Sequence, residues 1–134
     1  MNKDCIFCKI IKGDIPSYKI YEDKYTYVFL DIAKDVDGHI LVIPKTHFKN
    51  ILDCDLETLS HVIKTLKKIS NHLVNNCGYE GINILNANDE SAGQTVAHFH
   101  IHIIPRKSND GIKAWPNFTG ATEDLDIIYN NLKM

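Results

Sequence analysis

The sequence predicts an α+β fold with a mainly antiparallel sheet, one long helix and a short C-terminal helix. Three observations carry this. Short segments rich in β-branched and aromatic residues recur through the first half of the chain and again around residue 100. Only a few turn residues separate the early ones, a spacing that suits antiparallel neighbours and is too short for crossovers. One extended stretch, Asp55 to Asn76, has apolar residues at three- and four-residue steps.

In chain order, Ser17 to Tyr21 and Tyr25 to Leu30 read as strands, with Glu22-Asp23-Lys24 as the turn between them. Asp37-Gly38 is a turn signal, and His39 to Pro44 (HILVIP) reads as a third, well-buried strand. The helix presents Leu56, Leu59, Ile63, Leu66, Ile69 or Ser70, and Leu73 on one face. Asp55 is its N-cap and Gly78 its C-terminal stop. Gly81 to Asn86 is a strand, and Ala87 to Gly93 a polar loop. Val96 to Pro105 is the next strand, and Glu123 to Leu132, opening with acids behind Thr122, is a short helix.

A chain of 134 residues, 44% hydrophobic and 24% charged, closes a core without disulfides. It has no internal repeats or linker-like segments, so a single domain over 1–134 is expected. Net charge is −2 and the basic residues are scattered, which argues against a nucleic-acid polymer as partner. No run approaches the roughly 20 apolar residues of a membrane span. Nor does the N-terminus look like a signal peptide, so the cytoplasm is the default compartment. Cys5 and Cys8 form a C-x-x-C while Cys54 and Cys77 stand apart, which is not a disulfide framework.

The most informative segment is Val96-Ala-His-Phe-His-Ile-His-Ile-Ile104. Read as a strand, it puts His98, His100 and His102 on one face and Ala97, Phe99, Ile101 and Ile103 on the other, under the long helix. Imidazoles crowded together repel when charged, so some stay neutral near pH 7, the form that serves as nucleophile or metal ligand. Two readings compete. The outer pair is roughly 13 Å apart along a strand, so at most two of the three share one metal ion. Otherwise one imidazole is a nucleophile and its neighbours move protons. The preceding Gly93-Gln94-Thr95-Val96 favours the second, because backbone N–H groups of such a turn cradle an anion beside the histidine row.

Gly93-Gln-Thr-Val-Ala-His-Phe-His-Ile-His-Ile-Ile-Pro-Arg106 resembles the hallmark of the histidine triad (HIT) family. Cys5 to Pro16, Phe29-Leu-Asp31 and Gly38 to His47 resemble further family segments in family order, so the likeness covers nearly the whole chain. It implies a two-step reaction. His100 would attack the α-phosphorus of a purine nucleotide derivative, such as a nucleoside phosphoramidate, an adenylate or a dinucleoside polyphosphate. Water would then hydrolyse the nucleotidyl-histidine. His102 would bind phosphate and help move protons, and donors around Gln94 would stabilise the non-bridging oxygens.

Residue by residue, the resemblance gives Asp31 to the ribose hydroxyls and Phe7, Ile10 and Phe29 to the walls of the base pocket. It places His39 behind the triad in support of His102. It gives the phosphate side to Gly93, Gln94, Thr95, Val96 and Asn86, or to Asn88 in place of Asn86 if the loop is one residue longer. In some relatives a C-x-x-C, a later histidine and the first triad histidine bind zinc; here these are Cys5, Cys8, His47 and His98, a closed set of the structural kind. The family also implies a homodimer, for which Trp115 and Pro116 are candidate contacts. Ile104-Pro105-Arg106 is closer to the dinucleoside-polyphosphate branch. The competing expectation is a nucleotide-binding, zinc-stabilised interaction module with little catalysis, in which His100 itself would not be needed.

Overall fold

A computed structural model describes residues 2–134. Its elements are α1 (Ile6–Lys12), β1 (Lys19–Glu22), β2 (Thr26–Leu30), β3 (Ile40–Pro44), α2 (Leu56–Asn76), β4 (Gly81–Leu85), β5 (Ile101–Arg106) and α3 (Leu125–Leu132), with a 3₁₀ turn at Glu90–Ala92. All pairings are antiparallel, in the order β1-β2-β3-β5-β4. The expected fold class is therefore the observed one. β5 slots between β3 and β4, which places the histidine segment at the middle of the sheet.

Both faces of β2 and β3 are covered, which is why these strands read as nearly unbroken apolar runs. Val28, Ile40, Val42, Phe99, Ile101 and Ile103 point to one side and pack on Val62, Leu66, Ile69 and Leu73 of α2. Tyr27, Phe29, Leu41 and Ile43 point to the other and pack on Phe7, Cys8 and Ile10 of α1 and on Cys5 just before it. The period-2 alternation thus separates a core from a second layer, and His102, paired with Leu41, lies on the α1 side.

Local chemistry explains the punctuation. Asp23 closes the β1–β2 turn by accepting from Tyr25 N at 2.8 Å, Thr26 N at 2.8 Å and Thr26 Oγ1 at 3.0 Å. Thr26 and Thr65 hydroxyls meet at 2.8 Å and tie α2 to this turn. Asp55 caps α2 by accepting from Thr58 N at 2.7 Å. Gly78, just past the end of α2, takes the left-handed φ of +82° that a stop residue needs.

Four details differ from expectation. Residues 6–12 form a helix, too short for a periodic signal, whose N-cap is Cys5 itself: the Sγ accepts from Cys8 N at 3.4 Å. β5 starts at Ile101 rather than Val96. A longer strand would need backbone partners along β3, but the Pro44 carbonyl is taken by the His98 ring at 2.9 Å, and Phe99 N donates away from the sheet to Phe48 O at 2.7 Å. Leu66, Ile69 and Leu73 of α2 are buried as expected, but in its first half Val62 and Thr65 are inside while Leu56 and Ile63 are exposed. The last helix begins at Leu125 and has no buried residue.

Leu66 and Leu56 make a controlled comparison, one 6% exposed and the other 83%. Leu66→Ala should lower unfolding free energy by about 2–5 kcal/mol, and Leu56→Ala should change it by less than about 0.5 kcal/mol. Urea unfolding midpoints measured side by side check both.

Candidate active site

Two histidine clusters lie side by side, joined by one residue. The first is built by α1 and the loops before α2 and β5. Cys5 Sγ lies 3.3 Å from His98 Nδ1, Cys8 Sγ 3.4 Å from His47 Nδ1 and 3.5 Å from His98 Nδ1, and the two Nδ1 atoms are 3.1 Å apart. His98 is fully buried, and its Nε2 faces the Pro44 carbonyl, which can only accept. The ring proton is therefore on Nε2, and Nδ1 turns a lone pair toward two sulfurs and another imidazole nitrogen. Burial holds the His98 pKa down to about 4, and burial pushes the Cys8 thiol up. Lone pairs gathered this closely in a buried place match the donor set of a tetrahedral zinc ion, whose ligand atoms lie about 3.3–3.8 Å apart. The residues fit such an ion.

His98 also leads into the second cluster. Its backbone carbonyl is 2.7 Å from His100 Nδ1, so that nitrogen carries the proton and Nε2 of His100 is the bare one. The His100 ring is wedged edge-on between Phe7, at 5.2 Å between centroids, and His102, at 5.0 Å. Burial lowers its pKa, which keeps the imidazole neutral near pH 7. Asn86 Nδ2 donates to His100 O at 2.8 Å and fixes the start of β5.

Behind His102 runs a chain of polar contacts. Asp35 oxygens lie 2.9 and 3.1 Å from His39 Nδ1, and His39 Nε2 lies 2.8 Å from His102 Nδ1. Asp31 Oδ2 is 3.7 Å from His39 Nε2, and Asp31 is placed by its backbone N–H donating to His39 O at 2.9 Å. Burial first, and then the neighbouring His100 and His39, hold the His102 pKa down to about 4. His39 thus stands behind the triad, as expected. Asp35, which orients it, was not among the expected residues; its only trace in the sequence is an acid four residues before a histidine, across a glycine turn.

The loop from 86 to 96 is organised more tightly than the sequence suggests. N–H groups of Gly93 and Gln94 donate to Glu90 O and Asp89 O at 3.0 and 3.1 Å, so the 3₁₀ turn uses the donors expected to cradle an anion. Gln94 donates its amide to Lys49 O at 2.7 Å and Val96 O at 2.9 Å, and accepts from Asp89 N at 2.8 Å. This buried amide staples two loops together. Asn88 does similar work by accepting from Ile51 N at 2.8 Å. Asn86, in contrast, borders an open cleft of about 560 Å³ together with His39, His102, Ile104, Lys113 and Trp115.

Phe7, Ile10 and Phe29 are brought together, but as a packed layer under the His100 ring and not as walls of that cleft. Thr95 and Val96 border a smaller hollow beside Cys5 and His47. Trp115 is exposed, and Pro116 borders the larger cleft next to it. Among the described residues no helix is long and apolar enough to cross a membrane.

Comparison with known proteins places this geometry. The HIT domain pattern matches residues 12–109. The chain belongs to the HIT family. It is 48% identical to the protein hit of Bacillus subtilis over 134 aligned residues, covering 97% of this chain and 92% of that one. It is 42% identical to the adenosine 5'-monophosphoramidase of Candida albicans, covering 96% and 89%. The crystal structure of a zinc-bound histidine triad family protein from Mycobacterium smegmatis superimposes with a TM-score of 0.78 at 35% identity, covering 85% and 83%.

Buried His98 and half-buried His102 give the folded HIT chain a pH response of definite sign. Their folded pKa values near 4 lie below the ordinary 6.5, so between these limits the unfolded chain binds more protons. Stability is full above about pH 6.5 and falls as pH drops toward 4, with His98 alone contributing a slope of up to ~1.4 kcal/mol per pH unit. Calorimetry of the metal-stripped chain should therefore show Tm decreasing by several degrees between pH 7 and pH 5, and a flat Tm would contradict the burial argument.

Proposed function

We propose that this HIT chain is a nucleoside phosphoramidase, or a hydrolase of closely related nucleotide derivatives, that works through a nucleotidyl intermediate on His100. The observation that carries this reading is the pinned tautomer. With Nδ1–H held by the His98 carbonyl at 2.7 Å, Nε2 is a neutral lone pair that cannot rotate away. Relatives named adenosine 5'-monophosphoramidase support the substrate class.

In the first step His100 Nε2 bonds to the α-phosphorus, the P–N bond (or P–O, in a polyphosphate) breaks, and the leaving group takes the electron pair and a proton. That proton comes through His102. Its Nε2 is the ring nitrogen that the His39 contact leaves uncommitted, and a bound phosphoryl anion favours its protonated form. In the second step water attacks phosphorus, the P–Nε2 bond breaks, and His102 recovers a proton from the water. Asp31 accepts from the ribose hydroxyls, and Phe7, with Ile10 and Phe29 packed in the same apolar layer, backs the His100 ring. Asn86 offers its second amide proton to phosphate. Gly93, Gln94, Thr95 and Val96 shape the loop on the phosphate side rather than supplying the Gln94 amide to it.

The proposal includes structural zinc at Cys5, Cys8, His47 and His98, supported by the geometry and by the zinc-bound relative. When bound, the ion cross-links α1 to the two loops. It also includes a homodimer, supported by exposed Trp115 and by Ile84 on the edge strand β4, and a cytoplasmic setting.

Substituting His100→Ala should reduce turnover of adenosine phosphoramidate by on the order of 10³-fold or more while nucleotide binding persists. Rapid quench should trap phosphorus on His100 in the unmodified chain. Full activity in the variant would remove the mechanism and favour a binding module. Metal analysis of the purified chain should give about one zinc per chain, and Cys8→Ser should lose it together with several degrees of Tm. Less than about half an equivalent, with Cys5 freely alkylated, would dismiss the zinc site.

A further inference from the structure

The cluster behind the triad has the make-up of a second metal site. We propose that Asp31, His39 and His102 form an inhibitory site for a borderline divalent cation of the Zn²⁺ or Co²⁺ class, oriented by Asp35. The donor atoms, one from each residue, all lie within 4.8 Å of one another. His39 Nε2 is 2.8 Å from His102 Nδ1 and 3.7 Å from Asp31 Oδ2. Bonds of about 2.0–2.2 Å place adjacent ligand atoms about 2.9–3.5 Å apart in tetrahedral or octahedral arrangements, so these two pairs bracket the required spacing, and the Asp31 carboxylate, within 4.8 Å of the His102 nitrogen, has to swing in to complete the set.

Two imidazoles and one carboxylate suit ions of this class better than Mg²⁺ or Ca²⁺, which prefer all-oxygen sets. The set is also open, with three protein ligands and room for water or a phosphoryl oxygen, since His39 and His102 border the 560 Å³ cleft.

Asp35 is the second, independent sign. Both its oxygens face His39 Nδ1, at 2.9 and 3.1 Å. A carboxylate on the far nitrogen of a ligating histidine fixes the tautomer and raises the basicity of the near one, and removing it typically weakens metal binding 10–100-fold. On binding, His102 keeps its proton by moving it from Nδ1 to Nε2, so no proton is lost. The consequence for the enzyme rests on the proposed function: an ion here takes Asp31 from the ribose and locks His102, so it competes with nucleotide. It is separate from the Cys5–Cys8–His47–His98 set, whose ligands include two sulfurs.

Cobalt distinguishes the two sites. In a titration of the metal-stripped full chain with Co²⁺, sulfur ligation gives intense near-ultraviolet charge-transfer absorption, whereas the Asp31–His39–His102 site gives only weaker visible bands. The expected result is a distinct nitrogen- and oxygen-ligated Co²⁺ in the unmodified chain. It should be lost in His39→Gln with the sulfur-ligated signal unchanged, and weakened about 10–100-fold in Asp35→Asn. Absence of that signal in the unmodified chain, or its survival in His39→Gln, overturns the proposal. Circular dichroism checks the fold of each variant, and Asp31→Asn replaces His39→Gln if the latter unfolds. Adenosine monophosphate should weaken the second Co²⁺. If Co²⁺ binds as expected but the nucleotide has no effect on it, the metal site stands and the nucleotide placement fails.

Discussion

His98 contributes two bonds from opposite ends, and most of the site depends on them. Its ring donates to the Pro44 carbonyl at 2.9 Å, which anchors the segment before β5 to the end of β3. Its own carbonyl accepts from His100 at 2.7 Å, which sets the tautomer of the central imidazole. A buried polar ring without such partners would cost a few kcal/mol. The position is therefore committed to one orientation, and Nδ1 is left facing the thiols of α1. The cluster of sulfur and nitrogen atoms and the fixed tautomer of His100 are thus consequences of one side chain's hydrogen-bond bookkeeping.

The sheet reinforces that commitment. His102 sits in β5 between Leu41 of β3 and Leu85 of β4, and its neighbours Ile101 and Ile103 are locked under α2. Moving β5 by one residue would turn His102 into the core and an aliphatic side chain out into its place. The apolar half of the alternation therefore specifies where the polar half points. Function and packing share the same strand without competing for the same positions.

Much of this was legible in the sequence because it rests on local patterns. Strands β2 and β3 announce themselves by composition, α2 by its repeat and Asp55 cap, and the triad by alternation, with the family resemblance supplying roles. What was not legible depends on contacts distant in the chain. Helix α1 is too short to show a period, and Cys5 caps it with a sulfur rather than with one of the usual oxygen side chains. The early end of β5 is decided by a side chain from one loop occupying a carbonyl of another strand. Gln94 reads as a donor waiting for phosphate, yet the loop at Lys49 lies close enough to take its amide. The exchange of Val62 for Ile63 on the buried face of α2 reflects where the helix meets the sheet, which periodicity constrains only to within a residue.

Gly38 shows how narrow the tolerances are. A methyl group at this position would stand 3.1 Å from the Pro105 ring and 3.1 Å from the Tyr79 hydroxyl, and its φ of +79° disfavours any side chain in addition. Pro105 belongs to the same strand as His102, and Gly38 adjoins His39. The closeness of β3 to β5 at this end, and with it the 2.8 Å approach of the two imidazoles, is gauged by a missing side chain. Even alanine would act as a shim, pressing on Pro105 in the strand that carries His102.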